Sequence, residues 1–153
     1  MTYQTAQSFR WIQNLGNEIV QSKQCILTQH HLGKDQLHWV SLVVDGEHDT
    51  VHYGDSFGDD MPSDLWDACQ WWLTQHKKSP FTLETLPIGV QELNDTLSCS
   101  FLSHNSLEHF AFPESDPLLA CSGIQAARMS HFILASQQIL AQVRTSNWHG
   151  GLS

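Results

Sequence analysis

The 153 residues predict an α+β fold. Two β-rich runs flank the turn-forming dipeptide Asp45-Gly46, a third period-two run lies farther along, and helical spacing dominates from Ser98 onward. Strands come first and helices after, with one helix set between strands.

Each element has its own justification. Phe9, Ile12, Leu15 and Val20 recur near helical spacing and predict a first helix closing before Cys25, an expectation that Gly16 weakens. Residues 37–44 are apolar and rich in β-branched side chains, and Asp45-Gly46 follows at once, which predicts a strand ending in a turn. Thr50-Val51-His52-Tyr53 then forms a second strand, antiparallel to the first, and stops in the glycine-flanked loop Gly54-Asp55-Ser56-Phe57-Gly58. Met61-Pro62-Ser63-Asp64 opens a helix with Ser63 as the expected N-cap and with Leu65, Cys69, Trp72 and Leu73 on one face, widened by Trp66 and Trp71. Lys77-Lys78 suit the C-terminal end of that helix, and Ser79-Pro80 ends it. Residues 81–86 alternate with period two, a third strand that Pro87 stops. From Ser98 a helix places Cys99, Leu102, Ser106 and Phe110 on one side and ends near Pro113. A last helix is expected over residues 118–143, through Ile124, Ala127, Phe132, Leu134 and Leu140, and the tail 147–151 is expected to fray. No repeat, low-complexity tract or linker divides the chain, so residues 1–153 read as one domain.

Composition narrows the function. Seven Lys+Arg against sixteen Asp+Glu give a net charge of −9, the wrong sign for holding nucleic acid or an anionic membrane. Apolar runs such as residues 39–44 fall far below the roughly 20 residues of a membrane span, and the N-terminus lacks the basic cap and apolar core of a signal peptide. The expectation is an intracellular protein with reduced thiols, since Cys25, Cys69, Cys99 and Cys121 are widely spaced with no CxxC pair. Ten histidines are scattered, and the only adjacent pair, His30-His31, lacks a second ligand pair at zinc spacing, so no metal is expected. Asp59-Asp60 read as a solvated loop, Cys25, Cys69 and Cys121 as small hydrophobes, and at least one face of the tryptophan-bearing helix as core.

Three polar positions escape core logic: His38 in the first predicted strand, Asp55 at the end of the second, and Cys99 at the start of a helix. They are a base, an orienting carboxylate and a nucleophile. A thiol in the first turn of a helix sits at the positive end of the dipole, which favours thiolate, and antiparallel strands joined by a short turn can bring His38 beside Asp55. Taken singly, each has an ordinary reading: a strand histidine, a turn aspartate, a small buried hydrophobe.

Their neighbours carry more. His38-Trp39-Val40, then Tyr53-Gly54-Asp55-Ser56 with Asp55 seventeen residues after the histidine, then Asn94-Asp95-Thr96-Leu97-Ser98-Cys99 and the stretch from Phe101 to Phe110 form an ordered set over residues 35–112. This set resembles the ubiquitin-like-protein (SUMO-deconjugating) cysteine proteases, the Ulp family, and the Trp71-Trp72-Leu73 and Leu86-Pro87-Ile88-Gly89 segments look like its fungal members. The resemblance implies a papain-like, SUMO-protease-type fold, a small central sheet packed with helices and a nucleophile at a helix N-terminus. It implies a Cys-His-Asp peptidase or isopeptidase cleaving after the C-terminal diglycine of a SUMO-type modifier, in nucleus or cytoplasm and without a cofactor. His38 would be the base, Asp55 its partner, Cys99 the nucleophile, and Trp39 the aromatic covering the tunnel for the diglycine tail.

Two positions depart from the family pattern. The oxyanion glutamine falls on Leu93, with Gln91 two residues earlier, and Ser100 stands where glycine usually follows the nucleophile. Because losing one oxyanion donor typically costs about 10²–10³ in turnover, a weakly active enzyme and a degenerate member that binds a ubiquitin-like or peptide partner without cleaving it are both expected readings. The histidine's early position further implies a domain lacking part of the family's N-terminal region.

Overall fold

Four strands make one sheet in the order β1-β2-β3-β4: β1 is Cys25–Leu32, β2 His38–Asp45, β3 Thr50–Gly54 and β4 Thr82–Thr85. The computed structural model describes residues 2–33, 38–77, 79–92, 94–95, 97–130, 133 and 136–137. Helix α1, Arg10–Ser22, precedes the sheet, α2, Ser63–Thr74, connects β3 to β4, and α3, Cys99–Ala111, follows β4. The β1-β2 and β2-β3 pairs are antiparallel, whereas β4 runs parallel to β3 through the α2 crossover.

Three layers explain the apolar run of β2. Val40, Leu42 and Val44 join Val51 and Tyr53 of β3, Ile19 of α1, and Cys69 and Leu73 of α2 in the larger core. On the opposite face Val43 shares a smaller core with Leu86 and with Leu107 of α3. A strand buried on both faces needs no polar alternation. β1 escaped prediction for the converse reason: as an edge strand reading CILTQHHL, its side chains are exposed or half-buried, and it has no fully apolar face to betray it.

Other expectations hold with adjustments. The α2 N-cap is Pro62, whose carbonyl accepts the Trp66 N–H at 3.0 Å, and Ser63 is the first helical residue. Lys77 pairs with the Asp49 carboxylate in the β2-β3 turn, while Lys78 lies outside the described residues. The last helix starts later than expected, because Asn105 of α3 grips the chain on both sides, donating to Pro117 O at 3.1 Å and accepting the Leu119 N–H at 2.8 Å. Cys121–Gly123 is a 3₁₀ turn and residues 124–130 are helical; Phe132, Leu134, Leu140 and the tail 147–151 lie outside the described residues.

Gly16 has a packing role. A Cβ there would lie 2.3 Å from His76 Nε2, so the glycine admits the imidazole against α1. Trp72 Nε1–H donates to the Tyr3 hydroxyl at 3.1 Å, Tyr3 lies 3.0 Å from His76 Nε2, and His76 Nδ1 lies 2.9 Å from Asn17 Oδ1. A neutral imidazole completes this chain, accepting from the Tyr3 hydroxyl and donating to Asn17, and burial, which favours that form, pushes the His76 pKa below its ordinary 6.5. The depressed value means the unfolded chain takes up the proton first, so the stabilisation is complete above about pH 6.5 and is lost as pH falls from there through the folded value. Thermal melts at pH 7.5 and 5.5 are expected to show a smaller loss of Tm for His76→Gln than for the wild type.

Candidate active site

The register of β2 and β3 brings His38 to Asp55. The last pair of the ladder is Ser41 with Gly54, so Asp55 follows directly where β3 ends and His38 begins β2 at the same end of the sheet. The two side chains are therefore within reach of each other. His38 Nε2 lies 2.9 Å from Asp55 Oδ1, and both side chains are buried. The Phe57 backbone N–H also donates to Oδ1, at 2.7 Å, and the Tyr53 hydroxyl donates to Oδ2, at 3.3 Å. Burial, and after it the Asp55 charge, push the Tyr53 pKa upward, which keeps that hydroxyl a donor. Three donors thus converge on one buried carboxylate.

Cys99 is the first residue of α3 and is 3% exposed. Two ties dock α3 on the sheet: the Ser41 hydroxyl donates to Ser103 O at 2.9 Å, and the Gln29 amide of β1 donates to Ser100 O at 2.6 Å. Ser103 meets Ser41, and four residues on Leu107 shares a core with Val43, two residues on. Four helical residues rise about 6 Å and two strand residues about 6.6 Å, so the helix keeps step with β2. The same step backward from Ser103 brings Cys99 to the level of Trp39, the residue after His38. The candidate nucleophile and the His38–Asp55 pair therefore share one end of the sheet.

Gln91 is buried and fastens two loops. Its backbone N–H donates to Ser56 O at 2.8 Å, its Oε1 accepts the Ser56 hydroxyl at 2.8 Å, and its Nε2 donates to Asp95 O. The Asp95 carboxylate accepts the backbone N–H groups of Leu97 at 2.9 Å and Ser98 at 3.0 Å as well as the Ser98 hydroxyl, and these hydrogen bonds, the Ser98 hydroxyl first, hold its pKa below the usual carboxylate value. One hydrogen-bonded path thus runs from the loop carrying Asp55 to the turn entering the Cys99 helix. Ser56→Ala leaves Gln91 Oε1 buried without its donor and is expected to lower stability by about 1–3 kcal/mol, read by urea denaturation.

Trp39 is 37% exposed and packs edge-on against His31 of β1, with ring centroids 5.0 Å apart. The sequence reading missed Phe57, Tyr53 and Asp95 as supports of the site; Phe57 had a signal, a large apolar residue between Ser56 and Gly58 in a turn. Leu93 lies outside the described residues, and the Ser100 carbonyl is taken by Gln29.

The remaining cysteines differ from one another. Cys69 is core, and burial pushes its thiol pKa up. Cys25 corrects the expectation of a packed hydrophobe, since its residue is exposed at the start of β1. Desolvation of its sulfur, and secondarily the charge of its strand partner Asp45, still push its pKa to about 11. The Cys121 side chain lies outside the described residues. Trp66 and Trp72 pack on the larger core while Trp71 is 56% exposed. No group of three His, Cys, Asp or Glu side chains suited to a metal occurs among the described residues, and no helix among them is long and apolar enough to cross a membrane. A polar cavity of about 540 Å³ opens beside Ser98, lined also by Glu92, Asp95, Gln125 and Arg128.

No protein-family model and no curated protein sequence matches the chain. Solved structures do. The SUMO protease Ulp1 with its catalytic cysteine oxidized to a sulfonic acid superposes with a TM-score of 0.54 at 19% identity, over 88% of this chain and 66% of that one. The same protease in the sulfinic acid form gives 0.54 at 20% identity over the same shares. The Chlamydia abortus effector protein ChlaDUB gives 0.44 at 18% identity, over 74% of this chain and 57% of that one. The chain spans just under two thirds of the length of the SUMO protease structures, and its fold is the Ulp1 type expected from the sequence.

Proposed function

We propose that this chain is a cysteine-type peptidase or isopeptidase that acts on the C-terminal diglycine tail of a ubiquitin-like, SUMO-type modifier. The observation that carries this reading is the buried His38–Asp55 hydrogen bond of 2.9 Å at the sheet end where the helix of Cys99 begins. With Asp55 accepting from Nε2–H, Nδ1 of His38 is the nitrogen that takes the Cys99 proton. The thiolate attacks the carbonyl of the terminal glycine, His38 returns the proton to the leaving amine, and water then hydrolyses the thioester with the same imidazole as base. Backbone N–H groups at the start of α3 supply donors for the oxyanion. Trp39, exposed beside His38, is the surface along which the tail lies. The Ulp1-type fold supports the peptidase class, and the SUMO-protease neighbours support a ubiquitin-like partner.

A second reading is a binding module without turnover, and the occupancy of Gln91 favours it: the amide that would complete the oxyanion site already serves Ser56 and Asp95. Incubation with SUMO bearing a C-terminal vinyl sulfone separates the two. A covalent adduct detected by intact mass supports the peptidase; tight binding by calorimetry with no adduct, under conditions where Ulp1 reacts, supports the binder.

A further inference from the structure

Phe57 is 43% exposed although it is large and apolar, and it belongs to neither core. Its ring lies nearly parallel to the His38 imidazole, with centroids 4.7 Å apart and planes 24° apart. Its own backbone N–H donates to Asp55 Oδ1 at 2.7 Å, the oxygen that also faces His38 Nε2. One residue therefore holds both partners of the pair, the carboxylate through its main chain and the imidazole through its side chain. The turn enforces this double contact. Gly58 donates to Asp55 O at 3.0 Å and takes φ +82°, a left-handed conformation that a glycine adopts freely, and this closes the turn so that the Phe57 N–H points inward.

From this geometry we infer that Phe57 is a positioning residue: its ring covers one face of His38 and keeps water from the His38–Asp55 hydrogen bond, while its N–H fixes the accepting oxygen. Core packing gives no reason for an aromatic ring at this exposed position; a flat cover over an imidazole does. The catalytic consequence rests on the peptidase reading, but the shielding itself does not.

The test is proton NMR of the His38 Nε2–H, assigned by its loss in His38→Gln. In the wild type this proton is expected to exchange with water slowly enough to be observed downfield. Phe57→Ala is expected to speed the exchange by about tenfold or more, and Phe57→Tyr, which restores the ring, to return it to near the wild-type rate. Adduct formation with the vinyl sulfone probe is expected to fall about tenfold in Phe57→Ala with probe affinity unchanged, and to recover in Phe57→Tyr. Exchange that is unchanged in Phe57→Ala, or as fast in Phe57→Tyr as in Phe57→Ala, overturns the inference. Shielding that behaves as expected in a wild type that forms no adduct keeps Phe57 in this role and removes the peptidase reading instead.

Discussion

Cys99→Ser is expected to abolish covalent capture of a SUMO vinyl sulfone, with a loss of at least about 10³-fold in rate, because a serine hydroxyl is a far weaker nucleophile than a thiolate in a site built for one proton transfer. Intact-mass kinetics read the effect. Cys25→Ser and Cys69→Ser are expected to react like the wild type, since both thiols have raised pKa values and Cys69 lies inside the core. His38→Ala should cost about 10³–10⁴-fold, and the double variant Cys99→Ser/His38→Ala should be no slower than Cys99→Ser alone, because residues acting as a unit are not additive. Full reactivity in Cys99→Ser would remove the nucleophile from the proposal and with it the role assigned to the start of α3.

Asp55→Ala is expected to damage both rate and stability. It strips the acceptor from the imidazole, from the Phe57 N–H and from the Tyr53 hydroxyl, three donors at one buried point. Orphaned buried donors cost about 1–3 kcal/mol each, and neighbours sharing one cavity do not add fully, so a loss of about 3 kcal/mol in urea denaturation is the expected size. The rate should fall by about 10⁴-fold, the scale seen when a triad loses the group that orients its histidine. Asp55→Asn separates the two effects. It keeps the shape and an acceptor oxygen, so stability should recover for the most part while the rate stays low. A slow and equally unstable Asp55→Asn would mean that the carboxylate acts on the fold more than on the imidazole.

Much of this was legible in the chain because two kinds of pattern are local. The run at 37–44, the Asp45-Gly46 turn and the alternation at 81–86 each announce a strand within a few residues, and β2, β3 and β4 fall there. The pairing of His38 with Asp55 was legible for the same reason, since a hairpin fixes who faces whom. β1 was not, because CILTQHHL has neither the unbroken apolar run of β2 nor the clean alternation of residues 81–86. The parallel pairing of β4 with β3 was not either: it depends on the α2 crossover and not on any residue in β4. The grip of Asn105 on residues 117–119 joins side chain to backbone across a turn, and the helical period of 118–143 carries no trace of it. Gln91 shows the limit most plainly. The family resemblance made it a stand-in, two residues from the expected position, for an oxyanion glutamine, but only the fold reveals that Ser56 and Asp95 hold both ends of its amide.

The turn between β2 and β3 lies at the far end of the sheet from the candidate site, about 17 Å from Asp55 and about 23 Å from His38 at strand spacing. Asp45 pins it by accepting the backbone N–H groups of Glu47 at 2.8 Å and His48 at 3.2 Å, and Asp49 completes it in a left-handed conformation at φ 57°. Strand side chains alternate faces, so deleting one residue from this turn while β2 stays put would rotate every following position of β3 to the opposite side of the sheet. Asp55 would then leave the side it shares with His38, and His38 would face no carboxylate, with His38, Asp55 and Cys99 all still present in the chain. The hairpin tip is therefore a length gauge for the candidate site at the other end: a survey of variants that scored only His38, Asp55 and Cys99 would pass a chain in which a one-residue gap at position 47 had already parted His38 from Asp55.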